Sequence, residues 1–206
     1  MDFAEVVRAR RMTRRFAPEP QVPTQIVAEL LDLAARAPSA GHSQGWDYLV
    51  LREYADRRLF WDAATPDPPP RQGDAWLAGV SAAPTLIGCV SHESAYRDRY
   101  AERDKLALPP QLQSWPIPYW HTDTAMGAML ILLGATDRGL GSLFFGVPGE
   151  RHERVKARFG LPPDRSLVGV IALGTEASRV RSPSLRRGRR TGADIGHWGR
   201  FGVPAS

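Results

Sequence analysis

The sequence predicts a single α+β domain, because helical and strand patterns are intermixed along its 206 residues without a regular order. Apolar residues recur at helical spacing in some segments, as at Ile26, Leu30 and Leu33. Other segments are short runs of β-branched and aromatic residues, which favour strands. These strand patterns are too unevenly spaced for a succession of βαβ units. No internal repeat or clear linker divides the chain, so we expect one domain over residues 1–206.

The amino-terminal part predicts two helices joined by an extended connection. Asp2 is placed to cap the first helix, and Glu5 follows three residues later, which is the spacing of a capping box. This helix should end near Arg10. Three prolines between positions 18 and 23 then enforce an extended chain. A second helix, capped by Thr24, should run as far as Pro38.

The remaining sequence predicts four buried strands separated by helices. The strands are WDYLVL (46–51), TLIGCV (85–90), SLFF (142–145) and SLVGVIALG (166–174). Short helical patterns lie at about 55–61, 76–82 and 149–160. The longest helix should be capped by Thr122 and run to about Arg138. It is apolar on nearly every side, so it belongs in the middle of a fold or in a subunit interface.

Two segments do not predict regular structure. Residues 91–120 lack clear periodicity and contain several prolines, which is typical of a lid, a binding loop or a disordered stretch. Residues 175–206 are polar, rich in arginine and poor in apolar residues until HWGRF. A segment of this composition buries little of its own surface, so we expect it to pack against another surface, most naturally that of a partner subunit.

Composition excludes several classes of function. A single cysteine, Cys89, allows no intramolecular disulfide and no zinc site built on cysteines, and it fits a reducing, cytoplasmic setting. The most apolar run, 128–133, is too short to span a bilayer, so we expect no membrane association. The five histidines lack a metal-ligand spacing, and GxSxG, P-loop and dinucleotide fingerprints are missing. If the protein is an enzyme, a cofactor should carry the chemistry.

Arginine is concentrated at the two ends of the chain. Residues 8–15 read RARRMTRR, with five arginines and no acid, and residues 179–200 contain seven arginines beside one acid, Asp194. Such runs are consistent with a solvated face, a nucleic-acid arm, or a clamp for one compact anion. The nucleic-acid interpretation is disfavoured, because lysine-rich runs and any recognisable reading motif are absent. The more specific hypothesis is that the two distant basic clusters converge on one anionic ligand.

The order of four segments resembles the FMN-dependent nitroreductase family. RRMTR followed by Phe16 and PEPQVP (10–23) is similar to that family's RRS-x-R-x-F opening, and APSAGHSQGW (37–46) to its APS-x-x-N-x-Q-P-W loop. TDTAMGAMLILLGATDRGLGS (122–142) resembles its central helix and following GLG motif. LRRGRR near the carboxyl terminus stands in the place of a basic pair, best matched by Arg187 and Arg189.

This resemblance implies a fold, a cofactor and an assembly. The expected fold is a nitroreductase-like α/β sandwich, with a mixed central sheet flanked by helices and a carboxy-terminal extension (175–206) that embraces the partner subunit. The expected assembly is a homodimer with two FMN molecules at the interface, each touched by both chains. Loop 91–120 is the variable segment that often forms the wall of the substrate site.

The resemblance also implies roles for individual residues. Arg10, Arg11, Arg187 and Arg189 are the candidates for the FMN phosphate, which suits the planar, always charged guanidinium. Arg14 is expected nearer the polar edge of the flavin ring. The other expected flavin contacts are Met12, Pro38, Ser39, Ala40, His42, Gln44, Phe145 and Gly146. Trp115, Tyr119 and Trp120 are expected either to stack on a planar acceptor or to pack in the dimer interface.

Three positions depart from the family pattern. His42 stands where the family has asparagine, Gly45 replaces a proline and Met12 replaces a serine. A neutral histidine ring donates once and accepts once, whereas an asparagine side chain offers more of both, so flavin recognition or redox poise should differ.

The implied activity is transfer of hydride from NADH or NADPH through FMN to a nitroaromatic, quinone or similar planar acceptor, by a ping-pong route. The alternative is a protein that sequesters or delivers FMN with little turnover. A deazaflavin-type cofactor in place of FMN also remains open.

Overall fold

The computed structural model describes residues 1–66, 74–106, 115–179 and 181–204. Four strands form one sheet in the order β1–β2–β4–β3. The strands are β1 (Trp46–Leu51), β2 (Thr85–His92), β3 (Gly141–Phe145) and β4 (Arg165–Gly174). The helices are α1 (Phe3–Ala9), α2 (Thr24–Ala34), α3 (Tyr54–Ala64), α4 (Ala75–Ser81), α5 (Glu93–Tyr100), α6 (Arg103–Leu106), α7 (Tyr119–Asp137), α8 (His152–Phe159) and α9 (Gly192–Ile195).

The sheet differs from the expected mixed sheet, because all three of its strand pairings are antiparallel. In the described chain, parallel pairing is seen as an isolated bridge between Met12 and Ser142 at the β3 edge. The expectation of a mixed sheet is therefore corrected. Antiparallel neighbours need no crossover helix between them, which explains why the strands are so unevenly spaced in the sequence.

Helices cover both faces of the sheet, as the α+β prediction requires. Alternate residues of β4 face opposite ways: Val170 and Ala172 join the core beneath α3, α4 and α8, whereas Ile171 and Leu173 join the core beneath α2 and α7. The sheet is thus the middle layer of three. Nearly the whole of β2 and β4 is buried.

The first helix confirms the capping box read from the sequence. The Asp2 carboxylate accepts the Glu5 N–H at 2.8 Å, and the Glu5 carboxylate accepts the Asp2 N–H at 3.2 Å. The helix ends at Ala9, and the next residue, Arg10, leaves it in an extended conformation. This turn of the chain directs the arginine run away from the helix and toward the β3 edge.

The central helix α7 begins at Tyr119, three residues before the predicted cap. Thr122 lies inside the helix, and its hydroxyl donates to the Tyr119 carbonyl at 3.0 Å. The sheet-facing side of the helix is buried, with Ile131 fully inaccessible, but Met126 and Met129 remain 46% and 44% exposed. The helix therefore has an apolar face that the described chain does not cover.

Residues 91–120 contain more regular structure than the sequence predicted. Strand β2 extends to His92, and α5 and α6 follow; residues 107–114 of the predicted loop lie outside the described residues. Helix α5 depends on a Glu93–Arg97 pair at helical spacing and on one fully buried side chain, Tyr96. A helix with so few apolar contacts leaves almost no periodic signal in the sequence.

The described part of the carboxy-terminal extension is exposed to solvent. From residue 181 onward its backbone forms a short 3-10 turn at Pro183–Arg187 and then α9, and the side-chain hydrogen bonds of residues 181–204 are local, such as Arg190 to the Asp194 carbonyl. Five large apolar side chains are exposed along it: Leu185, Ile195, Trp198, Phe201 and Val203. Apolar groups presented in this way favour contact with another surface.

Among the described residues, no helix has both the length and the apolar character that crossing a bilayer would demand.

Candidate functional site

The arginine run is held against the β3 edge by backbone hydrogen bonds. The Thr13 N–H donates to the Ser142 carbonyl at 2.8 Å, beside the Met12–Ser142 bridge. Further along, the Phe16 N–H donates to the Gly79 carbonyl at 3.1 Å. The segment 10–14 is therefore fixed next to the start of β3. We call the segment 10–14 together with residues 139–142 the arginine patch.

Among the arginines of the arginine patch, Arg10 is the one with a buried side-chain nitrogen that has no hydrogen-bond partner in the described residues. Its Nη1 atom is buried, and within the described parts of the chain nothing accepts a hydrogen bond from it. A buried charged donor without an acceptor is unfavourable by itself. An anionic ligand bound at this position would supply the missing acceptor.

Arg11 and Arg14 are engaged by the chain itself. Arg11 binds Glu176 through two nitrogens, with the Nε–Oε1 distance at 3.3 Å and Nη2 in direct contact with Oε2. The hydrogen bond that the Glu176 carboxylate accepts from Arg11 raises the pKa of the Arg11 guanidinium. Arg14 donates from Nη1 to the Met12 carbonyl at 3.1 Å. A cavity of about 190 Å³ lies beside Arg11 and Glu176 and reaches Gly139 and Gly141.

The second patch is the loop 38–45, which contains three residues in the left-handed region of backbone space. Gly41, His42 and Gln44 have φ values of 63°, 59° and 50°. Non-glycine residues in this region are strained by about 1 kcal/mol or more and persist only when their surroundings hold them there. Two side chains of this loop, His42 and Gln44, are among the expected flavin contacts.

One hydrogen bond within the loop and two from neighbouring helices hold this loop. The Ser39 hydroxyl accepts the Gln44 N–H at 2.9 Å, and the Asp123 carboxylate of α7 accepts the Ala40 N–H at 3.0 Å. Arg99 of α5 donates to the Gly41 carbonyl at 2.9 Å. The loop is therefore built onto α5 and the start of α7.

The contact with Gln44 indicates which ring nitrogen of a neutral His42 carries the proton. The Gln44 amide nitrogen lies 3.1 Å from His42 Nε2. An amide nitrogen only donates, so Nε2 accepts, and a neutral ring then carries its proton on Nδ1. His42 can thus present an N–H donor on the ring atom that Gln44 does not contact.

Gly45 is explained by a close approach of Tyr96. A Cβ atom at position 45 would lie 2.7 Å from the His92 carbonyl oxygen and 2.8 Å from Tyr96 Cδ2, so the family proline does not fit here. The Tyr96 hydroxyl donates to the Asp123 carboxylate at 2.8 Å. Burial and that hydrogen bond raise the pKa of the Tyr96 phenol.

Trp115, Tyr119 and Trp120 form one aromatic cluster with Tyr96 and Tyr100. Trp115 lies 4.6 Å from Tyr100 and 5.7 Å from Tyr119, measured between ring centroids. Trp120 is 8% exposed and Tyr119 is 39% exposed. The cluster supports loop 38–45, because Tyr100 also packs against Gly41. We call the loop and this cluster the loop patch.

Phe145 and Gly146 lie at the opposite end of β3 from the arginine patch. The Phe145 ring stacks on Trp61 at 5.4 Å and meets the edge of Trp76 at 5.8 Å, so its side chain is packed in the core. Gly146 follows in open space, where a Cβ would meet no atom within 4 Å. A cavity of about 190 Å³ lies beside both residues.

The described contacts leave the predicted site residues in separate groups. No hydrogen bond or ion pair among residues 1–66, 74–106, 115–179 and 181–204 joins the arginine patch to the loop patch. The side chains of Arg187 and Arg189 are exposed and make none in that part of the chain. Within the described chain, the arginine patch and the loop patch are therefore held by separate sets of hydrogen bonds.

Other candidate chemistry is limited in the described residues. No three histidine, cysteine, aspartate or glutamate side chains there are grouped as metal ligands. Cys89 is fully buried in β2, and burial raises the pKa of its thiol to about 12, so it is a poor nucleophile.

Three residues that matter here escaped sequence reasoning: Tyr96, Asp123 and Glu176. Asp123 offered a signal, because an acid at the start of a strongly apolar helix is unusual unless it has partners. Glu176 offered none, since its partner Arg11 lies 165 positions away.

A profile of the nitroreductase family matches residues 7–175. The chain belongs to the nitroreductase family. It is 30% identical over 188 residues to an NADH dehydrogenase of Thermus thermophilus, covering 86% of this chain and 88% of that one.

Solved nitroreductase structures share the fold. A Lactococcus lactis nitroreductase in complex with chloramphenicol superposes with a TM-score of 0.77 at 17% identity, covering 97% of this chain and 100% of that one. A putative nitroreductase from Exiguobacterium sibiricum, in complex with FMN, superposes with a TM-score of 0.65 at 18% identity, covering 93% and 98%.

The family match ends at Thr175, where the carboxy-terminal extension begins. The arginine patch and the loop patch both lie inside the matched range. Arg187 and Arg189 lie outside it, so their assignment to the phosphate rests on the local resemblance alone.

Substitution of Gly45 tests the packing of the loop patch. Gly45→Ala should lower the free energy of unfolding by about 1–3 kcal/mol, because the new methyl group overpacks Tyr96 and the His92 carbonyl. Gly149→Ala is the matched control, since a Cβ there meets no atom within 4 Å. Urea denaturation of both variants measures the difference, and equal stabilities would contradict the packing described.

Proposed function

We propose that this nitroreductase-family chain is an FMN-dependent oxidoreductase that uses NADH or NADPH to reduce a nitroaromatic, quinone or similar planar acceptor by a ping-pong route. When bound, FMN supplies the chemistry, accepting hydride from the nicotinamide and delivering electrons to the acceptor. The FMN bound by the Exiguobacterium neighbour and the name of the Thermus relative support the cofactor and the reductant. A cytoplasmic location is part of the proposal.

The observation that carries the proposal is the buried, unpartnered Nη1 of Arg10. The phosphate of FMN carries close to two negative charges and offers several acceptor oxygens, so it satisfies such a donor. Arg11 follows Arg10 in the sequence and lines a cavity that reaches Gly139, where a Cβ would meet no atom within 4 Å and a ligand has room to approach the backbone. Arg187 and Arg189 are the proposed remaining phosphate ligands.

The loop patch is proposed to hold the flavin ring. His42 would donate from Nδ1, and Gln44 is fixed beside it. Pro38, Ser39 and Ala40 precede them on the same rigid loop, and the backbone at Phe145 and Gly146 is proposed to meet the ring from the other side. Arg14 is proposed to lie near the polar edge of the ring. Its side chain donates a hydrogen bond to the Met12 carbonyl and so supports the backbone of the arginine patch.

A homodimer is proposed because the family resemblance implies one and because no hydrogen bond or ion pair of the described residues joins the two patches. A second copy would place its loop patch beside the arginine patch of the first. The exposed methionines of α7 and the apolar side chains of the extension would provide the contact area that such an interface requires.

The aromatic cluster limits which residues can meet a planar acceptor. Trp120 is buried against Tyr96, which favours a packing role for it. Tyr119 keeps an exposed face, so it is the member of the trio that we propose for acceptor stacking, with Trp115 behind it.

Sequestration of FMN without turnover is the second candidate, and the family departures at Met12, His42 and Gly45 favour it. Reduction of the purified protein separates the two. We expect a yellow protein whose flavin absorbance bleaches on addition of NADH or NADPH and returns when a quinone is added in the absence of oxygen. A yellow protein that stays oxidised with both nucleotides would support sequestration and contradict the enzymatic proposal.

Truncation of Arg10 tests the phosphate assignment. Arg10→Ala should weaken FMN binding about ten- to a hundredfold, since a hydrogen bond to a charged group contributes about 1.5–3 kcal/mol. Quenching of flavin fluorescence measures the dissociation constant. Riboflavin, which lacks the phosphate, should bind both proteins equally.

Arg8→Ala is the matched control, because Arg8 lies in the exposed last turn of α1. Equal FMN affinities for Arg10→Ala and Arg8→Ala would show that Arg10 does not hold the phosphate.

A further inference from the structure

We propose that Glu176 is an internal competitor for the FMN phosphate, and that it lowers the preference of the site for FMN over uncharged flavins. This inference rests on the proposed function, because it concerns the same arginine patch. It assigns a role to a residue that belongs to no motif in the sequence.

The Arg11–Glu176 pair occupies the donors that a phosphate would use. Arg11 presents two nitrogens, Nε and Nη2, to the two carboxylate oxygens of Glu176. This is the planar, two-bond arrangement in which arginine also binds phosphate. A phosphate therefore binds these two donors only if the carboxylate gives them up.

Glu176 is the fixed member of the pair. Its backbone forms an antiparallel bridge with Phe16. The hydrogen bonds on either side, from Ala17 N–H to the Thr175 carbonyl at 2.9 Å and from Ala177 N–H to the Arg15 carbonyl at 3.0 Å, hold it in register. The Glu176 side chain is 18% exposed, whereas that of Arg11 is 49% exposed. Arg11 is the side chain with freedom to move.

The Glu176 carboxylate also lines a cavity beside Arg11, the second proposed phosphate ligand. Glu176 and Arg11 line the same cavity of about 190 Å³, together with Thr13, Gly139 and Gly141. A negative charge on this wall repels a phosphate even after Arg11 has turned toward it. Glu176 therefore opposes the binding of FMN in two ways: it holds Arg11, and it repels the phosphate. Neither effect acts on a flavin that lacks the phosphate.

The expected effect is selective for the charged flavin. Glu176→Gln keeps the size of the side chain and removes its charge, so it should tighten FMN binding about fivefold, the range of one exposed ion pair. The dissociation constant of riboflavin should change less than about twofold.

The experiment titrates the flavin-free protein with FMN and with riboflavin and follows the quenching of flavin fluorescence. Asp47→Asn is the matched control: it removes one negative charge from another exposed arginine pair, Asp47–Arg165 at 2.9 Å, and should leave both affinities unchanged. Repeating Glu176→Gln in an Arg11→Ala background should give a smaller gain, because only the repulsion is then relieved.

Each outcome decides the matter. Selective tightening of FMN by Glu176→Gln supports the competitor role. Unchanged or weakened FMN binding, or equal tightening of both flavins, overturns it while leaving FMN binding by the protein intact. Failure of the unsubstituted protein to bind FMN at all overturns the proposed function together with this inference.

Discussion

The backbone pairing of residues 12–17 is the constraint on which the arginine patch depends. This segment is hydrogen-bonded to Ser142 at one end and to residues 175–177 at the other. It therefore carries Arg10 to the start of β3 and brings Arg11 against Glu176. A long arginine side chain is flexible in water, so this backbone anchoring gives the cluster a definite place. It also fixes the point from which the carboxy-terminal extension departs.

The loop patch has a different origin, because side chains rather than strand pairing hold it. Asp123 ties the loop to α7 through Ala40 and binds Tyr96 of α5 at the same carboxylate oxygen. The strained residues His42 and Gln44 are stable only on this support. The arginine patch is proposed to bind the phosphate and the loop patch the polar edge of the ring, so the proposed FMN site needs both.

Local patterns were sufficient to predict the capping box at Asp2, the four strands and the position of α7. They failed where structure depends on partners distant in sequence. Helix α5 is stabilised by Tyr96 meeting Asp123, and the Arg11–Glu176 pair spans 165 positions; neither leaves a periodic signal. The antiparallel sheet was missed because the family resemblance suggested a mixed one and strand direction is not encoded in strand composition. The site residues were grouped by resemblance, and the two sets of hydrogen bonds that hold them emerged only in three dimensions.

The central claim is that each flavin site combines the arginine patch of one chain with the loop patch of another. Complementation between defective subunits tests it most directly: one chain carries Arg10→Ala, the other carries His42→Ala with Gln44→Ala, and mixed dimers are purified through two different tags. The account predicts that each homodimer binds FMN poorly, while the mixed dimer binds one FMN tightly, because one of its sites receives both intact patches. A mixed dimer that binds no FMN tightly would show that each site is built within one chain, and would contradict the account.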